Sequence, residues 1–559
     1  MKTTIQSVFL TLALFMIAIS AAAAKPSVSV RYLKAPAVSG IGASPLMKLT
    51  LRGLKPGCKV GQVTLKLSQP TDCYDLESVA IYPPTAEDKK SGNGVNMDSS
   101  KPLGTAEVTT ANASKLTIAT PTVTSEADSL ELWVAAKIRD GVDLSHHIRA
   151  NVESVKTSCG TIRPASRRPG SWRMGVAVRQ SGQDGVHTSR IPAIATTNSG
   201  TLIALFDARY DSKRDLQGNI DIAIQRSTDG GRTWQPLQRV LDMGCWGGLP
   251  EKYNGVSDAG ILVDRQTGDI LIAGLWMHGA LDDDGRWIEG LNEKSDYWIH
   301  QWKKRGSQPG TGLRQTCQFL ITRSTDDGQT WGFPQNITQD TKRPEWWLFA
   351  PAPGQGLMMA DGTLVFPTQG RDAKGLPFSN VTYSRDHGRT WTTSKPAYSN
   401  CTECNAAELE PGTLMLNMRD NRNRGVKSPN GRRIMTTNDL GQNWTEHPTS
   451  YSVLTEPTCM ASLYKHYYTD ANGQQQPLLL FANPAHHKIR KNLTLRASLD
   501  LGQTWPDDCR ILFDETRSMA YSSITAVDPQ TIGILYESGL ANLVFIQIPL
   551  SEILPPESR

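Results

Sequence analysis

The stretch "RSTDGGRTW", residues Arg226–Trp234, occurs in closely similar form five times along the chain. The other copies are "RSTDDGQTW" (Arg323–Trp331), "YSRDHGRTW" (Tyr383–Trp391), "TTNDLGQNW" (Thr436–Trp444) and "ASLDLGQTW" (Ala497–Trp505). Each copy has Ser or Thr, Asp, Gly and Trp at fixed offsets, which is typical of a tight turn: Asp accepts backbone N–H bonds and Gly adopts positive φ. Catalytic residues converge on one site, so five separate copies are predicted to be structural turns.

The spacing of these turns predicts the architecture of residues 166–559. Their aspartates lie 97, 60, 53 and 61 residues apart, at Asp229, Asp326, Asp386, Asp439 and Asp500. Repeats of this length, built from short β-rich runs, indicate a propeller of four-stranded blades. Pairing the strand-like runs at 174–178 and 542–550 would close the ring and remove its exposed edges. Five turn-bearing blades and this closing blade predict a six-bladed β-propeller.

Three further segments have a distinct character. Residues 25–165 contain short alternating runs separated by turn residues, which predicts a smaller β-sandwich in an all-β chain. This module is either a second glycan-binding unit or a packing module. The basic, proline-containing segment Thr161–Arg173 is interpreted as a linker, and the polar, Trp-rich segment 287–312 as a long loop over one face.

The amino terminus and the overall charge restrict localisation and partners. Residues 1–24 combine an early lysine, an apolar centre and small residues, which predicts a signal peptide and an exported protein, secreted or periplasmic. No later run approaches the roughly 20 apolar residues of a membrane-spanning helix. The net charge is only +5, with basic residues dispersed among acidic ones, which argues against nucleic acid as a partner. A monomer is expected.

Nine cysteines are too few and too scattered for a small disulfide framework. Cys401 and Cys404 form a single CxxC without a second pair at zinc-site spacing. Buried thiols or one local bridge are the preferred interpretation, with a redox or metal role as the alternative.

The five turns resemble the Asp boxes of bacterial exo-α-sialidases (glycoside hydrolase family 33), although other propellers also contain them. Further motifs resemble that family in its order along the chain: "SRIPAIATTNSGTLIALFDARYDSKRD", "TECNAAELEPGTLMLNMRDN", "HKIRKNLTLRASLD", "SMAYSSIT" and "ILYESG". The resemblance covers roughly residues 175 to 550 and implies an enzyme without metal or organic cofactor.

The resemblance implies a site that binds the carboxylate of a sialic acid. It assigns this role to Arg190, Arg419 and Arg490, and places Arg209 beside the substituents of the sugar ring. Arginine suits a planar anion because its guanidinium can bind both oxygens. Asp258 resembles the residue near the acylamino group of the sugar.

The resemblance also implies a nucleophile and its base. Tyr521 is the expected nucleophile and Glu403 its base, with Glu408 and Glu410 as alternatives on the same strand. A neutral phenol avoids the like-charge repulsion that a carboxylate would meet beside the substrate's own carboxylate.

The remaining catalytic assignments concern the leaving group and the arginine support. Asp215 matches the family's acid/base residue, with Asp211 and Asp221 as alternatives. Glu537 resembles the glutamate that holds Arg190.

These residues imply a retaining exo-α-sialidase acting on glycoproteins such as mucins, on glycolipids such as gangliosides, and on sialyl-oligosaccharides. A trans-sialidase or an intramolecular trans-sialidase would share every residue named above. A propeller lectin that binds sialosides without cleaving them is the alternative outside the enzymes.

Overall fold

The computed structural model describes residues 25–68, 72–84, 101–125, 128–279, 307–313, 315–425 and 430–555. The predicted signal peptide and residues 287–306 of the predicted loop lie outside these ranges. Within them the chain is all-β, as predicted, with only short helices, at Asp72–Asp75, Thr338–Thr341 and Leu550–Ile553 and in the 3-10 turns Gln183–Gly185, Trp246–Gly248, Glu251–Tyr253 and Asn421–Asn423. None of the described helices is long and apolar enough to cross a membrane.

The repeat region forms sheets that follow one another along the chain and are antiparallel except for the parallel pair Val256–Val263 and Gly354–Gln355. Sheet 1 contains Thr188–Thr196, Leu202–Arg209, Ile220–Ser227 and Gln238–Leu241. Sheet 2 contains Val256–Val263, Ile270–Trp276, Gln318–Ser324, Gln335–Asn336 and Gly354–Gln355. Sheet 3 contains Phe349–Pro351, Leu357–Met358, Leu364–Arg371, Pro377–Ser384, Thr392–Thr393 and Tyr398–Ser399. Sheet 4 contains Cys401–Glu408, Leu414–Asp420, Arg433–Thr437 and Thr445–Glu446, and sheet 5 contains Ser462–Thr469, Gln475–Pro484, Leu493–Ser498 and Arg510–Asp514.

Sheet 6 is assembled from both ends of the repeat region. Its strands are Ser522–Asp528, Thr531–Tyr536, Leu543–Pro549 and Gly170–Arg179. Gly175 pairs with Ile546 and Val176 with Phe545 in antiparallel register. The predicted pairing of the first strand with the last is therefore confirmed.

Contacts between strands of different sheets form a series that starts at sheet 1. The strand Thr188–Thr196 of sheet 1 contacts Val256–Val263 of sheet 2 and Ser522–Asp528 of sheet 6. The remaining contacts proceed in chain order, from Gly354–Gln355 to Cys401–Glu408, then to Ser462–Thr469, and finally to Ser522–Asp528. Because Ser522–Asp528 of sheet 6 also contacts sheet 1, the series of contacts ends at the sheet where it began.

The recurrent turns have the hydrogen bonds expected from their composition. Asp326 accepts a hydrogen bond from the backbone N–H of Thr330 at 2.9 Å, and Ser324 Oγ accepts one from the N–H of Gly328, also at 2.9 Å. Gly328 has φ of +79°. These bonds stabilise the carboxylate, so the side chain of Thr330 and its N–H lower the pKa of Asp326 to about 2.

The same turns connect neighbouring sheets. Asp327 of sheet 2 accepts hydrogen bonds from Thr201 Oγ1 at 2.6 Å and Arg226 Nη2 at 3.0 Å in the sheet 1 region. Trp234, at the end of the first copy, packs edge-on against Phe545 of sheet 6, with ring centroids 5.5 Å apart. The turns therefore act as structural contacts between sheets, as the sequence predicts.

Two further sheets lie before the repeat region. One contains Ser27–Tyr32, Ser44–Arg52, Ser129–Ile138, Leu76–Tyr82 and Gly104–Glu107. The other contains Leu116–Thr124, Lys59–Leu67 and His147–Thr157, with Gly160–Ile162 paired to the last of these, and it continues into Gly170–Arg179, against which Ala37–Ser39 also pairs. Buried side chains from both sheets, including Leu49, Val63, Ile118 and Val134, belong to one hydrophobic cluster.

The linker predicted over Thr161–Arg173 is wrong at both ends. Its first two residues belong to the strand Gly160–Ile162, which pairs with residues 155–157. Gly170–Arg173 pair with residues 147–150, while Gly175–Arg179 of the same strand pair with residues 543–546 of sheet 6. Trp172 and Met174 are buried in a cluster that also includes Phe206 of sheet 1 and Phe545 of sheet 6. A single strand and a single core therefore join the amino-terminal sheets to the repeat region.

This shared core predicts a large effect of Trp172→Ala. The indole is 1% exposed and donates a hydrogen bond to the Leu33 carbonyl at 2.9 Å. Its removal should lower the free energy of unfolding by about 3–5 kcal/mol, the range for large aromatic truncations in cores. Denaturant titration would measure the change.

A fully exposed aromatic provides the control. Phe333→Ala, at a side chain with 101% relative exposure, should change the free energy of unfolding by less than about 0.5 kcal/mol.

Calorimetry of the wild-type protein should show the amino-terminal sheets and sheet 6 melting together. Two well-separated transitions would contradict a shared core.

Candidate active site

One cavity of about 490 Å³ collects most of the residues singled out in the sequence. It lies where the first strands of several sheets begin. Its lining residues are Arg190, Ile191, Asp215, Asp258, Arg371, Pro377, Asn400, Thr402, Glu403, Arg419, Asn421, Arg424, Arg490, Met519 and Tyr521.

The three arginines expected to bind a carboxylate lie together around Tyr521. Arg190 comes from sheet 1, Arg419 from sheet 4, and Arg490 precedes a strand of sheet 5. The guanidinium carbons of Arg190 and Arg490 lie 5.3 and 5.6 Å from the centre of the Tyr521 ring. Nη1 of Arg419 donates a hydrogen bond to the Tyr521 hydroxyl at 3.1 Å. Residues 300 positions apart in the sequence thus share one cavity.

Tyr521 and Glu403 form a buried pair. The Tyr521 hydroxyl donates a short hydrogen bond to Oε1 of Glu403, and Arg419 Nη1 bonds the other carboxylate oxygen at 2.6 Å. Burial raises the pKa of Tyr521 well above its ordinary value, and the charge of Glu403 adds to the rise, while Arg419 and Arg490 oppose it. The phenol is therefore neutral, with an acceptor for its proton in direct contact.

The two alternative glutamates lie elsewhere. Glu408 accepts hydrogen bonds from the backbone N–H groups of Ala360 and Gly412, and Glu410 is exposed. Neither lines the cavity. Of the three glutamates on this stretch, only Glu403 contacts Tyr521.

Glu537 connects the sheet 1 arginine to the tyrosine. Its Oε1 accepts hydrogen bonds from Nε of Arg190 at 2.9 Å and from the N–H of Ile191 at 3.0 Å. Its Oε2 accepts one from the N–H of Tyr521 at 3.0 Å. The Glu537 charge also helps to raise the pKa of Arg190 against the opposing effect of burial, which keeps the guanidinium cationic.

Asp215 lies at the solvent side of the cavity. Its side chain is 52% exposed, and Oδ1 accepts a hydrogen bond from Arg209 Nη1 at 2.7 Å. Arg190 Nη1 is 3.5 Å from the same oxygen. Asp211 is exposed and Asp221 is buried against Tyr210, and neither lines the cavity.

Arg209 does not lie at its expected position beside the sugar ring. Its side chain is fully buried and does not line the cavity. It bonds Asp207 Oδ2 at 2.9 Å on one side and Asp215 on the other. This arrangement makes Arg209 a support for Asp215. Asp207 was not predicted from the sequence, although a single acidic residue within the apolar run "LIALFDAR" indicates a buried, paired carboxylate.

Asp258 lines the cavity, and its carboxyl group has an unusual charge state. Burial raises its pKa to about 8, and the neighbouring carboxylates of Asp207, Glu403 and Asp215 contribute, with Arg209 opposing. At neutral pH the carboxyl is therefore mainly protonated. It can donate a hydrogen bond as well as accept one.

Irregular backbone directs these side chains into the cavity. Strand pairing shifts register between Arg190 and Ala193 and between Ser257 and Gly260. Ile191, Asp258 and Ala520 adopt positive φ of 56°, 55° and 65°, although none is glycine. Bulges of this kind occur beside active sites because they turn a side chain away from the regular alternation of a strand.

Several lining residues had no distinctive sequence signal. They are Arg371, Pro377, Asn400, Thr402, Asn421, Arg424 and Met519. Single arginines, asparagines and threonines of this kind are usually solvated surface or turn residues, so a sequence pattern does not separate them from the background.

The CxxC pair is buried and reduced. Cys401 and Cys404 carry free thiols in the first strand of sheet 4. Burial raises the pKa of Cys404 to about 12, so its thiolate form is suppressed. Across the residues that the structure describes, no group of three potential His, Cys, Asp or Glu ligands is close enough to hold a metal ion.

Three comparisons place this arrangement among known proteins. The family model for a BNR repeat-like domain matches residues 191–530. A sialidase of Bacteroides fragilis (strain YCH46) is 39% identical over 424 residues, which cover 76% of this chain and 73% of that protein. A sialidase of Micromonospora viridifaciens is 32% identical over 64% of this chain and 51% of its own length.

A solved structure extends the likeness to almost the whole chain. The Hadza microbial sialidase Hz136 superposes with a TM-score of 0.82 and 34% identity, covering 94% of this chain and all of that one. Three converging arginines beside a tyrosine–glutamate pair, carried by Asp-box sheets, define a glycoside hydrolase for an acidic sugar. The chain belongs to the sialidase family, as the resemblance in its sequence implied.

The charge state of Asp258 predicts a pH-dependent stability difference for Asp258→Asn. In the unfolded chain an aspartate has a pKa of about 3.9, so unfolding allows Asp258 to ionise between that pH and about 8. Wild type therefore loses stability as pH rises through this window, and Asn, which cannot ionise, does not. The melting temperature of the variant relative to wild type should increase from pH 4 to pH 8.

Melting curves at both pH values test this directly. The exposed Asp508→Asn variant is the control and should show no such trend. A pH-independent difference for Asp258→Asn would mean that the carboxyl is ionised in the folded protein at neutral pH.

Proposed function

We propose that this protein is a retaining exo-α-sialidase that hydrolyses terminal α-linked sialic acids from glycoproteins, glycolipids and oligosaccharides. One observation carries the proposal: the Tyr521 hydroxyl lies between Glu403 and Arg419 in a cavity that also contains Arg190 and Arg490. Membership of the sialidase family supports the substrate class.

Arg190, Arg419 and Arg490 would bind the carboxylate on the anomeric carbon. Arg190 and Arg419 are already paired with Glu537 and Glu403, whereas Arg490 donates to the backbone carbonyls of Met519 and Thr458. The cluster therefore keeps its positive charges oriented before substrate arrives. Charge-assisted hydrogen bonds from guanidinium groups are roughly twice as strong as neutral ones.

Tyr521 would attack the anomeric carbon. Two unit charges about 4 Å apart repel by about 4 kcal/mol in a partly screened site, so a carboxylate nucleophile would be disfavoured beside the substrate carboxylate. The neutral phenol avoids this repulsion and passes its proton to Glu403 as the C–O bond forms. The result is a tyrosyl-enzyme intermediate, for which sialidases are an exception among retaining glycosidases.

Asp215 would protonate the leaving oxygen and then take a proton from the attacking water. Arg209 fixes the orientation of this carboxyl through its 2.7 Å hydrogen bond. Half of the Asp215 side chain is exposed, so water can reach it in the second step.

Glu537 and Asp258 would have supporting roles. Glu537 positions Arg190 and the Tyr521 backbone together. Asp258, protonated at neutral pH, would bond the acylamino substituent of the sugar without adding a negative charge near its carboxylate.

The architecture and location belong to the same proposal. The six sheets, which follow one another along the chain and contact their neighbours from sheet 1 around to sheet 6, are interpreted as the blades of a six-bladed propeller. The two amino-terminal sheets around one core are interpreted as a sandwich. The predicted signal peptide supports export to the periplasm or the medium, and the expected state is monomeric.

Substitution of the nucleophile and the acid/base tests the mechanism. On an aryl α-sialoside, Tyr521→Phe and Asp215→Ala should each lose at least about a hundredfold in kcat/KM, as expected when a covalent or acid/base group is removed. Tyr467→Phe, at a half-exposed ring outside the cavity, is the matched control and should retain wild-type turnover. Normal turnover in both active-site variants would refute the assignment.

Product analysis tests retention and hydrolysis separately. NMR should detect the α-anomer of free sialic acid first, and mass spectrometry should locate a fluorinated sialosyl label on the peptide containing Tyr521. Initial release of the β-anomer would exclude retention, and an anhydro or transferred sugar as the main product would exclude hydrolysis.

Glu403 and Glu410 provide a matched pair for the base. Glu403→Gln should reduce kcat about a hundredfold because the phenol loses its proton acceptor. Glu410→Gln, on the same stretch but exposed and outside the cavity, should leave kcat unchanged. Equal effects in the two variants would contradict the assignment of Glu403.

A further inference from the structure

A second pocket opens beside the main cavity. It has a volume of about 220 Å³ and is called the side pocket here. Its lining residues are Arg419, Asn423, Arg424, Gly425, Pro457, Thr458, His487, Lys488 and Arg490. Arg419, Arg424 and Arg490 line both cavities, so the two are contiguous.

The side pocket is strongly cationic. Its positive charge comes from three arginines and one lysine, namely Arg419, Arg424, Arg490 and Lys488. No carboxylate is among its lining residues. The charge of Arg419 is balanced by Glu403 on the side of the main cavity. Arg424 and Lys488 are exposed and belong to the loops on either side of the pocket. An anion that enters would therefore meet several donors and no repelling group in the lining.

The walls of the side pocket are fixed by a buried ion pair. Arg432 and Glu456 are both fully buried and joined at 2.8 Å. Glu456 Oε1 accepts a hydrogen bond from Asn423 at 2.6 Å, which holds the loop that carries Arg424. Asn430 bonds the carbonyls of Glu456 and His487 at 2.7 and 2.9 Å, which holds the loop that carries Lys488.

These buried contacts distinguish the pocket from a random cluster of surface charges. Loops fixed before binding lose less conformational entropy when a ligand is bound. The carboxylate of the terminal sugar would be bound by the three arginines around Tyr521, so Lys488 lies outside that contact. Lys488 would therefore pair with a negative group of the substrate other than that carboxylate.

We propose that the side pocket binds a second anionic group of the substrate, beyond the terminal sialic acid. The group is a carboxylate or a sulfate on the glycan to which that residue is attached. The preferred substrates would then be polyanionic glycans, such as oligosialic chains or sulfated sialoglycans. This inference rests on the proposed exo-sialidase function and adds a substrate preference to it.

Lys488→Gln tests the inference because this residue lines only the side pocket. Three substrates are compared: an aryl α-sialoside with a neutral aglycone, an α2,8-linked disialyl oligosaccharide, and a sialyl-oligosaccharide sulfated on the neighbouring sugar. For at least one dianionic substrate, the ratio of its kcat/KM to that of the neutral-aglycone substrate should fall about two- to fivefold, the loss expected for an ion pair to an exposed lysine. The substrate that responds identifies carboxylate or sulfate as the group bound.

Matched variants separate a specific contact from general attraction. Lys488→Arg should keep the wild-type ratio, and Lys488→Glu should lower it further. Lys374→Gln removes the same charge from an exposed loop bordering the main cavity, outside the side-pocket lining, and should leave the ratio unchanged. Added salt should reduce the wild-type preference because it screens exposed charges.

The outcomes distinguish this inference from the proposed function. If wild type releases sialic acid but Lys488→Gln changes the ratio for neither dianionic substrate, the side-pocket inference is wrong and the sialidase proposal stands. An equal fall of the ratio in Lys374→Gln would also overturn it, since net charge alone would then explain the preference. If wild type cleaves none of the three substrates, the proposed function itself fails.

Discussion

The carboxylate of Glu537 is the interaction on which the active site depends most directly. It bonds the Arg190 side chain, the Ile191 backbone and the Tyr521 backbone, which come from opposite ends of the repeat region. Arg190 and Glu537 are separated by 347 positions in the sequence. Their contact requires sheet 6 to lie beside sheet 1, and this follows from the pairing of Gly170–Arg179 with Leu543–Pro549. The contact between sheets 1 and 6 therefore also brings these parts of the site together.

The site also has to hold several like charges together. Arginines that share one cavity repel each other unless acids are placed among them. Glu537 neutralises Arg190, and Glu403 neutralises Arg419 while it accepts a hydrogen bond from the Tyr521 hydroxyl. Asp207 and Arg209 form a fully buried pair that supports Asp215. Each acid thus has an electrostatic role in addition to any part in the chemistry, so the site is organised before substrate binds.

The recurrent turns and the catalytic candidates occupy different parts of this fold. The recurrent turns lie between sheets and hold neighbouring sheets together through contacts such as Asp327 with Arg226 and Trp234 with Phe545. None of their aspartates lines the cavity. Arg190, Asp258 and Glu403 lie instead near the starts of first strands, where bulges and positive φ turn side chains inward, and Tyr521 immediately precedes one. A repeated element can therefore remain uniform while the residues of the cavity differ from sheet to sheet.

The sequence by itself determined the features that depend on short-range contacts. A Ser, an Asp and a Gly within five residues satisfy one another in a turn, so the turns and the strands between them were predictable from spacing alone. The family resemblance then located Arg190, Arg419, Arg490, Tyr521 and Glu403, because aligned motifs preserve residue types that chemistry requires. Only the tertiary structure decided the support role of Arg209, the presence of Arg371 and Arg424 in the cavity, and the strand that replaces the end of the expected linker. These depend on contacts between residues far apart in the chain, whose partners no local pattern specifies.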